Sequence, residues 1–139
     1  MRQKGFTLLE VLVAMLVLSI GLLGLAGLMA SSLRNNHSAY YRSQATWLAY
    51  DVIDRMRTNR PNAVDYIVGI PGASAAGGLA GADVADWKAA IANTLPGGDG
   101  SVALVAAGEA RTVTVVIQWN DARGTGGDAA QTFSVVSQL

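Results

Sequence analysis

From residue 6 to residue 30 the chain is apolar except for Thr7, Ser19 and one carboxylate, Glu10. A helix over that stretch, at about 1.5 Å per residue, reaches roughly 37 Å. That is enough to cross a hydrocarbon core of about 30 Å with some tilt. After Ala30 the pattern changes. Tyr41, Ala45, Leu48, Val52 and Met56 recur at spacings of three and four, the stripe of an amphipathic helix with one side buried. No glycine or proline interrupts this stretch before Pro61, which forces Arg60 away from helical geometry. The pattern therefore predicts one helix over about 7–59, its first half in lipid or in a bundle of helices and its second half packed on a domain.

Residues 61–82, rich in Gly and Ala with Pro61 and Pro71, read as a loop. A short helix over about 83–95 follows, capped by Asp83 or a neighbour, with Val84, Trp87, Ile91 and Leu95 as its apolar stripe and Pro96-Gly97-Gly98 as its stop. Strands are predicted at about 101–107, 111–119 and 131–136. The middle one alternates, with Val113, Val115, Ile117 and Trp119 on one face. Gly108-Glu109 is short enough for a tight hairpin between the first two. The resulting α+β fold is an antiparallel meander whose apolar face is covered by the long helix. Trp47, Trp87 and Trp119 are all expected to be partly buried.

Charge and composition narrow the function. The 139 residues carry ten basic and ten acidic side chains, without the basic stripe that attracts nucleic acid. There is no cysteine, so no disulfide supports the domain. His37 is the only histidine, and no nucleophile elbow, phosphate-cradling loop or metal-spaced ligand set is present. No enzymatic activity, cofactor or metal is expected. Asn36-His37-Ser38 matches a glycosylation triplet but lies mid-helix. The 120–128 loop, with Asn120, Asp121 and Asp128, could hold a cation or touch a partner, but its spacing fits no calcium motif and a solvated turn is the default.

The informative chemistry is at the N-terminus. Arg2 and Lys4 precede the apolar run, which favours a cytoplasmic N-terminus and an exported remainder. Gly5 stands between the basic and apolar runs, the reverse of a signal peptide, whose small-residue site follows its apolar region. Glu10 costs up to about 2.5 to 3.5 kcal/mol at the centre of a span on insertion scales and less near its end; a carboxylate kept there implies a partner. Two plainer readings are a single-pass anchor with a chance glutamate and a signal peptide cut after Ala26 at Gly24-Leu25-Ala26. The second requires an apolar region that is too long and contains Glu10.

The run Gly5-Phe6-Thr7-Leu8-Leu9-Glu10 resembles the processing site of type IV pilins and type II secretion pseudopilins. The resemblance implies cleavage between Gly5 and Phe6 by prepilin peptidase, N-methylation of Phe6, and pairing of Glu10 with the terminal amine of a neighbouring subunit. Removal of residues 1–5 would leave eight basic against ten acidic side chains. Gly21, Gly24 and Gly27 recur every third residue; each weakens a helix by roughly 1 kcal/mol relative to alanine, and small faces let helices approach closely in lipid. The resemblance adds a further use, a section that stretches when the subunit leaves the bilayer.

The segment from Ser38-Ala39-Tyr40-Tyr41 through Asp54-Arg55-Met56-Arg57-Thr58-Asn59, with Gly21-Leu22-Leu23-Gly24-Leu25 before it, is similar to the PilV group of type IV minor pilins. That similarity implies the pilin fold, with a leader at 1–5, a transmembrane and assembly half at 6–30, an amphipathic half at 31–60 and a globular domain at 61–139. It also implies a role in starting pilus assembly and capping the tip. The partners it implies are prepilin peptidase, other minor pilins and the major pilin through their N-terminal helices, the inner membrane and a tip adhesin. Many major pilins close a C-terminal loop with a disulfide, which this chain cannot form. A minor pseudopilin of a type II secretion system and a membrane-tethered binding module outside any filament are the alternatives.

Overall fold

A computed structural model describes residues 5–74, 76–107, 110–124 and 126–139, with the side chains of 106, 107 and 110 excepted. Helix α1, Leu8–Thr58, is continuous over 51 residues, about 77 Å at helical rise. A 3₁₀ helix, Arg60–Tyr66, follows with Pro61 in its first turn, where a missing N–H costs no internal hydrogen bond. The order continues as α2, Gly78–Thr94, then β1, Asp99–Ala107, β2, Ala110–Trp119, and β3, Gln131–Gln138. The strands form one antiparallel meander with β2 in the centre. Its register pairs Val102 with Val115 and Ile117 with Phe133.

The alternation in β2 produces the sheet's inner face, where Val113, Val115, Ile117 and Trp119 are all buried. Two helices cover it. From α1 come Ala45, Ala49, Val52, Ile53 and Met56; from α2 come Val84, Trp87 and Ile91. Burying a side chain of this size is worth roughly 1.5–3 kcal/mol, so the core gathers the second half of α1, α2 and the sheet into one unit. The Trp87 indole donates to the Leu48 carbonyl at 2.7 Å, which fixes α2 across α1.

Polar contacts tie the remaining segments down. Arg55 binds Asp51 at 3.0 Å and Asp83 at 3.2 Å, and the Tyr66 hydroxyl donates to Asp83 at 2.5 Å. Burial works against the charge of Arg55, but Asp51 and Asp83 outweigh it and raise its pKa above the ordinary value. Arg57 pairs with Asp54 at 2.9 Å and also donates to Ser137 in β3. Lys88 joins Asp99 at 2.7 Å.

Several expectations need correction. Helix α2 starts at Gly78, inside the segment read as loop, and its cap position is Gly77. Asp83 is therefore an interior residue that binds Arg55 and Tyr66. Packing of Ala80 against the core overrides the low helix propensity of the glycines around it. Strand β1 begins at Asp99 rather than 101, because Gly100 lies flat beneath α2: a Cβ there would stand 2.5 Å from the Trp87 ring. Strand β3 extends to Gln138, paired with Thr112. Trp47 is 80% exposed, since at about 100° per residue it points away from the face that carries Ala45 and Ala49. The Gly108-Glu109 turn lies outside the described residues.

Candidate processing and assembly site at the start of the long helix

Helix α1 starts at Leu8 because Thr7 is extended, with φ −82° and ψ 149°, and its hydroxyl accepts the Glu10 backbone N–H at 3.3 Å. The Thr7 carbonyl accepts from Glu10 and Val11 at 3.1 and 3.3 Å. Thr7-x-x-Glu10 is the spacing of a capping box, a helix-start signal that the sequence carries. Only half of the box is made. Among the described residues the Glu10 carboxylate has no hydrogen-bond or ion-pair partner.

Glu10 is in the first turn, where the positive end of the helix macrodipole favours a carboxylate by typically 0.3–1 kcal/mol. That is well short of what an unpaired charge costs in an apolar setting. The setting is apolar: Phe6, Val11, Ala14, Met15 and Leu18 line a shallow groove of about 460 Å³ with Glu10. Glu10, Ala14 and Leu18 fall on one face of α1 at a spacing of four, and Phe6, ahead of the helix, lines the same groove. A groove with one acid among apolar side chains suits another apolar helix that brings a cation.

The Gly5–Phe6 bond lies upstream of the cap and outside the helix. Phe6 is 83% exposed, and a Cβ on Gly5 would meet nothing within 4 Å. A peptidase requires an accessible strand of backbone, and an N–H already bonded within a helix does not offer one. This bond does. Arg2 and Lys4 lie outside the described residues.

Every residue from 5 to 30 is exposed, including Leu8, Leu12, Leu16, Leu23 and Leu28. This is the part of α1 long and apolar enough to cross a membrane, and none of its most apolar window is buried. Gly21, Gly24 and Gly27 stay helical, and a Cβ on any of them would meet nothing within 4 Å. All three leave room for a second helix against α1.

Two further places carry polar groups of interest, the loop after β2 and the His37 turn of α1. The loop after β2 is more than a solvated turn: Asp121 is 3% exposed and its carboxylate accepts a hydrogen bond from Ser38 of α1. Its backbone N–H donates to the Asp128 carbonyl at 2.8 Å, and the Asn120 N–H donates to Pro96 at 2.8 Å. Among the described residues no group of three or more His, Cys, Asp or Glu is placed to hold a metal ion. His37 stacks obliquely on Tyr41, with ring centroids 6.4 Å apart. Asn36 of the glycosylation triplet is an exposed residue within α1.

Residues 1–26 match the family model described as the prokaryotic N-terminal methylation motif. The match spans Gly5, Phe6, Glu10, Gly21 and Gly24 and ends just before Gly27. No curated protein and no solved structure matches the chain significantly. A prepilin-type motif implies processing by prepilin peptidase and assembly with other pilins. The motif, with a helix long and apolar enough to cross a membrane directly behind it, supports a type IV pilin-like or pseudopilin-like protein anchored in a membrane.

Proposed function

We propose that the chain is a minor pilin of the type IV pilus, of the PilV group. It inserts in the inner membrane with its domain in the periplasm, loses residues 1–5 and joins other minor pilins in a complex that starts assembly and sits at the pilus tip. Motility by twitching and adhesion depend on that complex. Gly5 presents the scissile bond, Phe6 is methylated, and Glu10 sets register by pairing with the amino terminus of a neighbouring subunit. Gly21, Gly24 and Gly27 allow close packing and local stretching. The role is structural rather than enzymatic.

One observation carries this reading. A methylation motif leads into a helix whose first half has no partner among the described residues of its own chain, while its second half is built into a small domain. An apolar rod with no internal partner needs lipid or other rods around it. The missing cysteines favour a minor over a major subunit. The PilV assignment rests on the helix pattern through Asn59.

The test is made in the producing cell. A deletion strain should lose surface pili and twitching, and the tagged full chain should be recovered from sheared fibres. A minor pseudopilin shares the same N-terminal motif, and a deletion that abolishes protein secretion while leaving pili intact would select that reading instead.

A further inference from the structure

Where α1 leaves the apolar run, it meets the loop that follows β2. The two enclose a cleft of about 760 Å³ lined by Arg34, His37 and Tyr41 of α1 and by Asn120, Asp121 and Arg123 of the loop. Among the described residues that line it, Asp121 is the only carboxylate. It is buried and engaged by Ser38. Arg34 and Arg123 are exposed, and among the described residues neither forms an ion pair. Two guanidiniums against one carboxylate leave the cleft with a formal charge of +1. Like charges converging on one site are unfavourable unless an anion joins them.

The position along the helix selects the anion. Arg34 directly follows Leu33, which is 61% exposed, and stands four residues beyond Ala30, about 6 Å at helical rise. The headgroup layer extends some 5–7 Å beyond the hydrocarbon on each side. With residues 6–30 in the bilayer, Arg34 is at the level of the phospholipid phosphates. The Ser38–Asp121 contact brings the loop, and Arg123 with it, to the same end of the domain. Guanidinium donates two parallel N–H groups to a phosphate, a charge-assisted pairing about twice as strong as a neutral hydrogen bond.

We propose that this cleft binds the phosphate of an anionic phospholipid and so holds the domain in a fixed orientation on the membrane before assembly. The inference rests on the membrane-anchored state alone. It is tested on the unassembled chain, so its failure would leave the pilin reading standing.

The full chain in zwitterionic detergent micelles is titrated with phosphatidylglycerol, phosphatidylcholine and inorganic phosphate, and bound lipid is counted by native mass spectrometry. The expected result is retention of phosphatidylglycerol in preference to phosphatidylcholine, one molecule per chain. The double substitution Arg34→Gln with Arg123→Gln should weaken that binding about tenfold or more, and Arg34→Lys with Arg123→Lys, which keeps the charge but not the paired donors, should weaken it less. Arg42→Gln, on α1 but outside the cleft, should leave it unchanged. An unchanged thermal midpoint shows that the double variant remains folded. Equal retention by wild type and double variant overturns the proposal, as does equal binding of the two lipids. Saturation by inorganic phosphate with no preference for lipid overturns the lipid assignment and leaves a site for soluble phosphate.

Discussion

Tyr66 in the 3₁₀ helix and Asp83 in α2 are joined by a 2.5 Å hydrogen bond, with the phenol as donor. The other Asp83 oxygen accepts from Arg55 of α1 at 3.2 Å. One carboxylate therefore holds together three successive helical elements. Asp83→Ala removes both contacts and leaves a buried phenol with Asn59 as its remaining partner. Losing hydrogen bonds at a partly buried charged group costs about 1–3 kcal/mol. The variant should show that loss in denaturant unfolding of the full chain in detergent, followed by near-ultraviolet circular dichroism.

The same pair sets an alkaline limit to stability. Burial, and then the hydrogen bond to Asp83, raises the Tyr66 pKa above its ordinary value. The folded state thus holds the phenolic proton more tightly than the unfolded chain does. The corresponding stability is fully present below the unfolded tyrosine value of about 10 and is lost as pH rises through the higher folded value. Tyr66→Phe should flatten the fall in stability above pH 10 relative to wild type. An unchanged alkaline slope would contradict the assignment.

Glycines in the two halves of the molecule should respond oppositely to alanine. At Gly100 a Cβ would stand 2.5 Å from Trp87 and 2.7 Å from Ile91, and Gly100→Ala should destabilise the domain by about 1–3 kcal/mol. At Gly24 nothing lies within 4 Å, and Gly24→Ala should leave the domain unaffected while favouring the helix by roughly 0.5–1 kcal/mol. Its effect should instead appear between chains, as reduced incorporation into fibres. Melting curves and shear-fraction blots of the two variants separate these effects.

Glu10→Ala should leave cleavage at Gly5–Phe6 nearly intact, because that bond lies upstream of the helix and is already exposed. Recovery in fibres should fall by about tenfold or more, since a neighbour's ammonium would then be buried without a partner. Cleavage is read by gel mobility and incorporation by shearing. Normal incorporation would remove the role given to Glu10.

The long helix and the meander were legible because their signals are periodic and repeated. A 25-residue run with only three polar positions, a stripe from Tyr41 to Met56 and an alternation from Val113 to Trp119 each restate one preference many times. What was missed depends on single contacts. The start of α2 at Gly78 is set by Ala80 reaching the core, and Asp83, which looks like a cap, is placed by Arg55 and Tyr66. Trp47 could be placed only by knowing which face of α1 meets the domain. Of the candidate site, Gly5, Phe6 and Glu10 are legible as a motif, and the Thr7 cap is legible as a capping-box spacing. The Arg34–Arg123 cleft was not visible, because its two cations are 89 positions apart in sequence and only the Ser38–Asp121 contact shows that they converge.

Mass spectrometry of the N-terminal peptide of the chain recovered from sheared surface fibres is the most direct test. The expected product is a mature chain that begins at Phe6 and carries one methyl group on its amino nitrogen. A chain that still begins at Met1 and is found only in the membrane fraction would contradict it.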